Sequence, residues 1–231
     1  MRPLSAAVVG LVSLGVLAAG CTPSEPDDPQ LQEPKVVSAT QVCGGTLFTP
    51  EAGKALERVL QSTEFVIRED KVDLSTAAMA KKLEEAYRSG KEVRNMPMPD
   101  CDISGKPKEI DGFGHYPSAQ VRFKAFSKNA GIPDYVPGAT DSGVNVGGRI
   151  RQRSVAFDCV SPRVGSTAEV PLRITATFFN KFDKGNGDEA VLDKDYFLLV
   201  HTAALSMAEE LGCANNGGLP DRADALPPMN G

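Results

Sequence analysis

Five cysteines, an odd number, set the strongest limit on how this chain of 231 residues can fold. Four of them are dispersed, at Cys43, Cys101, Cys159 and Cys213, and the fifth is Cys21. A disulfide joins only residues whose Cα atoms lie within about 7 Å of each other, so each pair would fix one long-range contact. The role of Cys21 therefore decides how the other four are counted.

Cys21 follows an apolar N-terminal run that carries one early positive charge, Arg2. The run ends in Leu17-Ala18-Ala19-Gly20-Cys21, and small residues before a cysteine suit cleavage by a peptidase. This stretch resembles the signal peptide and lipobox of a bacterial lipoprotein. The resemblance implies cleavage before Cys21 and attachment of a diacylglyceryl group to its thiol. A plain secretory signal followed by an unrelated cysteine is the alternative. The run is shorter than the ~20 residues that a membrane-spanning helix needs.

The resemblance implies a signal peptide (1–20) and lipidation of the segment that follows it, and composition predicts that this segment is a Pro-rich tether (21–41), followed by one domain (42–223) and a flexible tail (224–231), with fraying expected from Asn215 onward. The tether mixes prolines with acidic and amide side chains and buries too little surface to fold. The remainder has the length of one domain. Its supply of apolar residues, 41% over the whole chain, is sufficient for a core.

Lipidation of Cys21 would leave an even number of cysteines, which in an exported protein indicates two disulfides. Sequence alone permits three connectivities. We expect Cys43 to pair with Cys213 and Cys101 with Cys159, because the first pair would join the two ends of the domain. A zinc site is the alternative, although the four cysteines are widely spaced and include no CxxC pair.

Helical and strand-like patterns follow one another along the domain. Apolar spacing predicts helices from Pro50 to about Ser62, from Ser75 to Ser89, and from Leu192 to Leu211 with Asp193 or Asp195 as its N-cap. Strands are predicted around 101–103 and over 119–126, 149–160 and 169–180, and 65–67 is a further strand or a packed loop. The strands have one apolar and one polar face, which favours an antiparallel sheet with helices on one side. The predicted fold class is α+β, an antiparallel sheet of about four strands with helices packed on one face and two disulfides.

Basic residues fall on the polar side of the predicted strands. If the strands pair in sequence order, one stripe on the open face contains Arg122, Lys124, Arg149, Arg151, Arg153 and Arg173. We expect a bulge near Ser154 that places the arginines in water while Phe157 faces the core. On a chain of net charge −5, such a stripe favours an anionic partner: lipid headgroups, an anionic wall polymer or an acidic envelope protein. The alternative is that these charges only keep the sheet soluble and block edge pairing.

The sequence offers little support for catalysis, a metal or a cofactor. The two histidines, His115 and His201, are not accompanied by a Gly-x-Ser-x-Gly elbow, and Ser142 has no such flanks. The Gly-rich stretch 138–148 is not followed by Gly-Lys-Ser/Thr, so a mobile loop is expected there. The segment 183–189 lacks the ligand spacing of an EF-hand and is expected to be a turn. We therefore expect no catalytic residue, no metal and no cofactor. The net charge argues against nucleic acid as a partner.

The chain also resembles small cell-envelope lipoproteins of actinobacteria. The resemblance rests on the lipobox, the Pro-rich tether, a Val42-Cys43-Gly44-Gly45 stretch before the first helix, and later dispersed cysteines. It implies a lipid-anchored location on the outer face of the cytoplasmic membrane and assigns no activity. We expect a non-enzymatic binding or interaction domain. A ligand sensor or accessory subunit of a membrane complex is the alternative, and an envelope hydrolase is a weaker one.

The intact mass of the protein, taken from its native membrane before and after reduction, tests the covalent predictions. We expect a mature chain that begins at diacylated Cys21 and gains two hydrogens for each disulfide on reduction. An unlipidated mass would contradict the anchor, and four free thiols before reduction would contradict the disulfides.

Overall fold

The computed structural model describes residues 35–67, 75–89, 100–106, 117–126, 143–149, 151–181 and 188–229. Over these ranges the chain has an α+β fold with a seven-stranded antiparallel sheet and two disulfides. The predicted fold class and the two disulfides are confirmed, but the sheet has more strands than the four expected. The signal peptide, Cys21 and residues 22–34 of the predicted tether lie outside the described residues.

The sheet places two long strands at and beside its centre. Its strands are β1 (Lys35–Val37), β2 (Phe65–Ile67), β3 (Asp100–Gly105), β4 (Ser118–Phe126), β5 (Asn145–Arg149), β6 (Gln152–Cys159) and β7 (Leu172–Asn180). Their spatial order is β1-β2-β3-β4-β7-β6-β5, and every neighbouring pair is antiparallel. Strand β4 is therefore the central strand, with β3 and β7 beside it, and the short strands β1 and β5 form the two edges.

Local capping signals set where the helices begin. The helices are α1 (Pro50–Leu60), α2 (Thr76–Arg88) and α3 (Glu189–Glu210). The Oγ1 of Thr49 accepts a hydrogen bond from the Ala52 amide at 3.3 Å, and the Oγ of Ser75 accepts one from the Ala78 amide at 3.2 Å. The first two helices therefore occur where the sequence predicts them.

The third helix begins earlier than predicted, because its N-cap is Asp188, which accepts from the Ala190 amide at 2.9 Å. The predicted caps Asp193 and Asp195 are wrong. Both lie inside α3, where Asp193 accepts a hydrogen bond from Arg153 and Asp195 accepts hydrogen bonds from Nε and Nη2 of Arg58. Their carboxylates are held by arginines of other elements and not by the helix N-terminus.

The core lies between one face of the sheet and the helices. Val121 and Phe123 of β4 and Ala176 and Phe178 of β7 are fully buried. Helix α2 packs on β4, α3 packs on β6 and β7, and α1 packs on α3. As predicted, α3 is deeply buried; its fully enclosed apolar residues are Leu199, Val200, Ala203, Ala204, Met207 and Ala208.

The disulfides join Cys43 to Cys101 and Cys159 to Cys213, with Cα–Cα distances of 5.8 and 4.9 Å. The expected pairing of Cys43 with Cys213 is therefore wrong. The 3₁₀ segment Ala39–Gly45 packs on β3, which carries Cys101. The chain after α3 returns to the end of β6, where the Ala214 amide donates to the Val160 carbonyl at 2.8 Å. Each disulfide thus joins a strand of the sheet to a segment outside the sheet that packs against that strand.

The folded part extends beyond the predicted domain at its N-terminal side. Residues Lys35–Val37, assigned to the tether by composition, pair with β2 as the edge strand β1. Val37 and Ala39 are buried in the core.

The chain after α3 is also more ordered than predicted. Gly217 has φ +68°, and a Cβ there would lie 2.5 Å from the Phe157 ring, so this close approach requires glycine. Leu219 is buried and Leu226 packs on the core. The expected fraying from Asn215 onward is therefore wrong at least as far as Leu226, which lies inside the predicted 224–231 tail.

The predicted strand over 149–160 is wrong, because Arg149 ends β5 and Gln152–Cys159 form β6, the two strands of a hairpin. Strand β5 pairs with β6 from Asn145↔Ala156 to Arg149↔Gln152, and Arg151 lies in the turn with φ +64°. The expected loop over 138–148 is thus wrong from Asn145 onward. Strand β6 pairs with β7 without interruption, so the predicted bulge near Ser154 is also wrong.

Phe178 and Phe179 are neighbours on opposite faces of β7 and provide a matched test of the sheet's orientation. Phe178 is fully buried, with its ring 5.8 Å from the Tyr196 ring of α3, whereas Phe179 is only partly buried on the other face. We expect Phe178→Ala to lower the free energy of unfolding by about 3–5 kcal/mol in urea denaturation. Phe179→Ala should cost less than half of that. Equal losses for the two variants would contradict the assignment of faces.

Candidate functional site: a cleft on the polar face of the sheet

The face of the sheet opposite the helices carries the side chains that alternate with the core residues. In its central rows, Phe179 of β7 lies opposite Gln120 of β4 and Gln152 of β6. Two residues before Phe179 on β7, and on the same face, Thr177 lies opposite Arg122 and Ser154. Directly opposite residues have Cβ atoms about 4.5–5.5 Å apart, so these side chains are immediate neighbours.

A cleft of about 400 Å³ opens on this face, and we call it the polar-face cleft. Its described lining residues are Gln120, Arg122, Lys124, Gln152, Thr177, Phe179 and Lys181. Among them are three cations, two amides and one aromatic ring, and no carboxylate. Sites for small ligands usually measure about 300–1,000 Å³, and the cleft falls within that range.

A hydrogen-bond relay from β3 orients the arginine of the cleft. Gln120 is buried, and its Nε2 donates to Asp100 Oδ2 at 2.8 Å and to Asp102 Oδ1 at 3.1 Å. Ionised carboxylates only accept hydrogen bonds, so they fix which end of the Gln120 amide faces them. The amide oxygen then faces Arg122, whose Nη2 donates to it at 2.7 Å. The two acids thereby hold Arg122 in place through a neutral amide.

The same two acids balance part of the positive charge. Asp102 accepts from Lys181 Nζ at 2.6 Å, and Asp100 Oδ2 lies 3.8 Å from Arg122 Nη2. Among the described residues, these two carboxylates therefore contact two of the three cations of the cleft, Arg122 and Lys181. An ammonium has three donors and a guanidinium five, so these contacts use only part of the donor capacity of Lys181 and Arg122.

The six residues of the predicted basic stripe do not lie together in the structure. Arg122 and Lys124 line the cleft. Arg149 is exposed on the edge strand β5 opposite Gln152, on the same face as the cleft but outside its lining. Arg151 lies in the turn between β5 and β6.

Two of the six predicted residues do not belong to an open basic surface. Arg153 has the same alternation as Phe157, so its side chain lies on the helix side. There it bonds to Asp193 and lies 5.2 Å from the centre of the Phe197 ring. Arg173 is on the polar face, but its side chain is only 6% exposed and bonds to Asp158 at 3.1 Å.

The enclosure of Arg173 has a local cause. The segment that enters β5 crosses this end of the face, where the Gly143 amide donates to Asp158 Oδ2 at 2.8 Å. The Gly143 carbonyl accepts from Arg173 and from Asn145. The polar face therefore has a covered end around Arg173 and an open end at the cleft.

Five described lining residues of the cleft were not predicted as site residues: Gln120, Gln152, Thr177, Phe179 and Lys181. A usable signal existed for two of them, because Phe179 and Lys181 continue the alternation of Thr175 and Thr177. Phe179 is also an aromatic residue at a polar position of its strand. Pairing with Gln152 could not be expected, because it depends on the order β4-β7-β6 in the sheet.

The remaining candidate positions do not join the cleft. His201 is 2% exposed within α3, and its Nε2 lies 2.7 Å from the Pro220 carbonyl oxygen. Cys21, His115, the 138–142 part of the Gly-rich stretch (which includes Ser142) and residues 183–187 lie outside the described residues. Of the 183–189 turn, Asp188 and Glu189 are described, and they begin α3.

Among the described residues, no group of three or more His, Cys, Asp or Glu side chains is arranged to hold a metal ion. None of the described helices combines the length and apolarity needed to cross a membrane. No protein-family model, no curated protein and no solved structure matches the chain.

Burial of His201 generates a prediction about pH. Removal from water lowers the pKa of His201 below its usual value, although the Pro220 carbonyl and the Asp221 charge oppose that shift. The imidazole is therefore neutral in the folded state at a pH where the unfolded chain already binds a proton. The contribution of this group to stability is complete above about pH 6.5 and falls as the pH decreases below that value.

We expect the stability difference between the wild type and His201→Gln to shrink as the pH falls from 7.5 to 5.5, by at most about 1.4 kcal/mol per pH unit. Urea unfolding of both proteins at several pH values measures this difference and cancels the contribution of other titrating groups. A difference that stays constant or grows on acidification would contradict the prediction.

Proposed function

We propose that this chain is an exported, lipid-anchored binding domain without catalytic activity, and that it binds an anionic ligand in the polar-face cleft. One observation carries the proposal: the described lining of the cleft contains Arg122, Lys124 and Lys181 and no carboxylate, in a chain of net charge −5. Cations gathered in a concave surface focus the local field and attract anions.

The arrangement of the acids supports the same function. Asp100 and Asp102 stand on β3, to the side of the described cleft lining, and orient Gln120 and Lys181. Groups that are held in place before binding lose less conformational entropy when the ligand arrives. The relay through Gln120 therefore suits a site for an anion better than a surface that merely keeps the sheet soluble.

The shape of the site favours a ligand-sized group over a flat partner. A concave volume of about 400 Å³ accommodates a small anion or one unit of a polymer. The proposed extracytoplasmic location is supported by the Leu17–Cys21 lipobox and by the two disulfides, which persist in oxidising compartments. A sensor or an accessory subunit of a membrane complex could use the same cleft.

A charge-neutralising variant of the full-length protein tests the proposal. Arg122→Gln, Lys124→Gln and Lys181→Gln are combined, and binding of inorganic phosphate is measured by titration calorimetry at low salt. We expect saturable binding by the wild type, weaker binding at higher salt because ions screen the attraction, and at least a tenfold loss of affinity in the variant.

A matched variant controls for net charge. Lys54→Gln, Lys81→Gln and Arg222→Gln remove the same number of positive charges at exposed sites away from the cleft. This variant should bind phosphate within about twofold of the wild type. Equal losses of phosphate affinity in both variants would show that the effect depends only on overall charge, and this result would overturn the proposal.

A further inference from the structure

Phe179 gives the polar-face cleft a feature that a simple anion site does not need. Its ring is partly exposed among polar neighbours, between Gln120 on β4 and Gln152 on β6. The other large apolar side chain at this point of β7, Phe178, faces the core. Exposing an aromatic ring on a polar face forgoes the stabilisation that burial would supply.

The cations are placed on both sides of this ring. Lys181, directly after the end of β7, follows Phe179 by two residues, and Thr177, which lies opposite Arg122, precedes it by two. Two residues of a strand span about 7 Å. A six-membered ring stacked on Phe179 therefore directs an exocyclic charged group towards Arg122 on one side or Lys181 on the other.

Side chains that form hydrogen bonds lie on both sides of the Phe179 ring. Gln152 brings an amide, which both donates and accepts, to the β6 side of Phe179. Sugar hydroxyls require partners of this dual kind, and the C–H face of a sugar ring packs on an aromatic surface. An inorganic anion would use the cations and accept hydrogen bonds from the amide N–H groups, but it would make no use of the ring.

We infer that the ligand of the polar-face cleft is a sugar that bears an anionic group, with its ring stacked on Phe179 and its phosphate or carboxylate bound by Arg122 on the Thr177 side of that ring. This inference rests on the proposed anion-binding function and adds the class of ligand. It assigns Phe179 as the residue that distinguishes a charged sugar from the bare anion.

Two pairs of probes separate the contribution of the ring from that of the charge. Glucose 6-phosphate is compared with inorganic phosphate, and glucuronate with acetate, on the full-length protein by titration calorimetry. We expect the sugar member of one pair or both to bind at least tenfold more tightly than its partner. The pair with the larger difference identifies the anionic group as phosphate or carboxylate.

Variants at Phe179 provide the decisive control. Phe179→Leu retains an apolar side chain but removes the ring, and it should lower the affinity for the preferred sugar anion to that for the bare anion. Affinity for the bare anion should stay within about twofold of the wild type. Phe179→Tyr retains the ring and should preserve the preference. Circular dichroism and thermal unfolding confirm that both variants are folded.

The outcomes distinguish this inference from the proposed function. Equal affinity for sugar and bare anions, or no effect of Phe179→Leu, would overturn the sugar assignment while leaving the anion site intact. No binding of any of the four probes would overturn both. Binding of the unlipidated protein to phosphatidylglycerol vesicles, unaffected by Phe179→Leu and not competed by glucose 6-phosphate, would assign a lipid headgroup instead and overturn the inference.

Discussion

The register between β4 and β7 places Val121 opposite Phe178 and Arg122 opposite Thr177, and the rest of the molecule depends on this pairing. Side chains alternate between the faces of a strand, so a slip by one residue would turn Arg122 towards the helices and Val121 into water. The burial of the apolar set beneath α2 and α3 makes such a slip costly. The core therefore fixes the positions of the cations on the opposite face, although it does not contact them.

The polar face uses its charges in two different ways. At its covered end, Asp158 neutralises Arg173 and the backbone of Gly143 encloses the pair. At its open end, the acids of β3 reach Arg122 through the neutral amide of Gln120. An interposed amide orients the guanidinium without the short, direct ion pair that Arg173 makes. In the first arrangement the arginine is enclosed at the covered end of the face, and in the second Arg122 lines the cleft.

Features set by neighbouring residues could be predicted from the sequence. Thr49-Pro50 and Ser75 begin their helices because the cap and the helix are adjacent in the chain. The cap of α3 was mistaken because several aspartates precede or begin its apolar stripe. Only distant arginines, Arg58 and Arg153, show that Asp195 and Asp193 have other partners.

Features set by sheet order could not be predicted. Gly147 and Gly148 give β5 no alternating pattern, and the disulfide pairing follows from which segments the sheet brings together. Arg153 has the same alternation as Phe157, so without a bulge its charged side chain lies on the face that carries the core. In the structure there is no bulge, and Asp193 and the Phe197 ring contact the Arg153 side chain on the helix side. The basic character of the cleft was visible in Arg122 and Lys124, but its aromatic and amide groups required the strand order.

The most direct measurement is the side-chain Nε–H signal of Arg122, followed by nuclear magnetic resonance while inorganic phosphate is added to the full-length protein. Arg122 at the centre of an anion site predicts a saturable shift of this signal, with the signals of Arg58 and Arg163 unchanged. These two arginines make ion pairs elsewhere on the surface and serve as internal controls. An unchanged Arg122 signal, or equal shifts of all three, would show that the polar-face cleft does not bind anions.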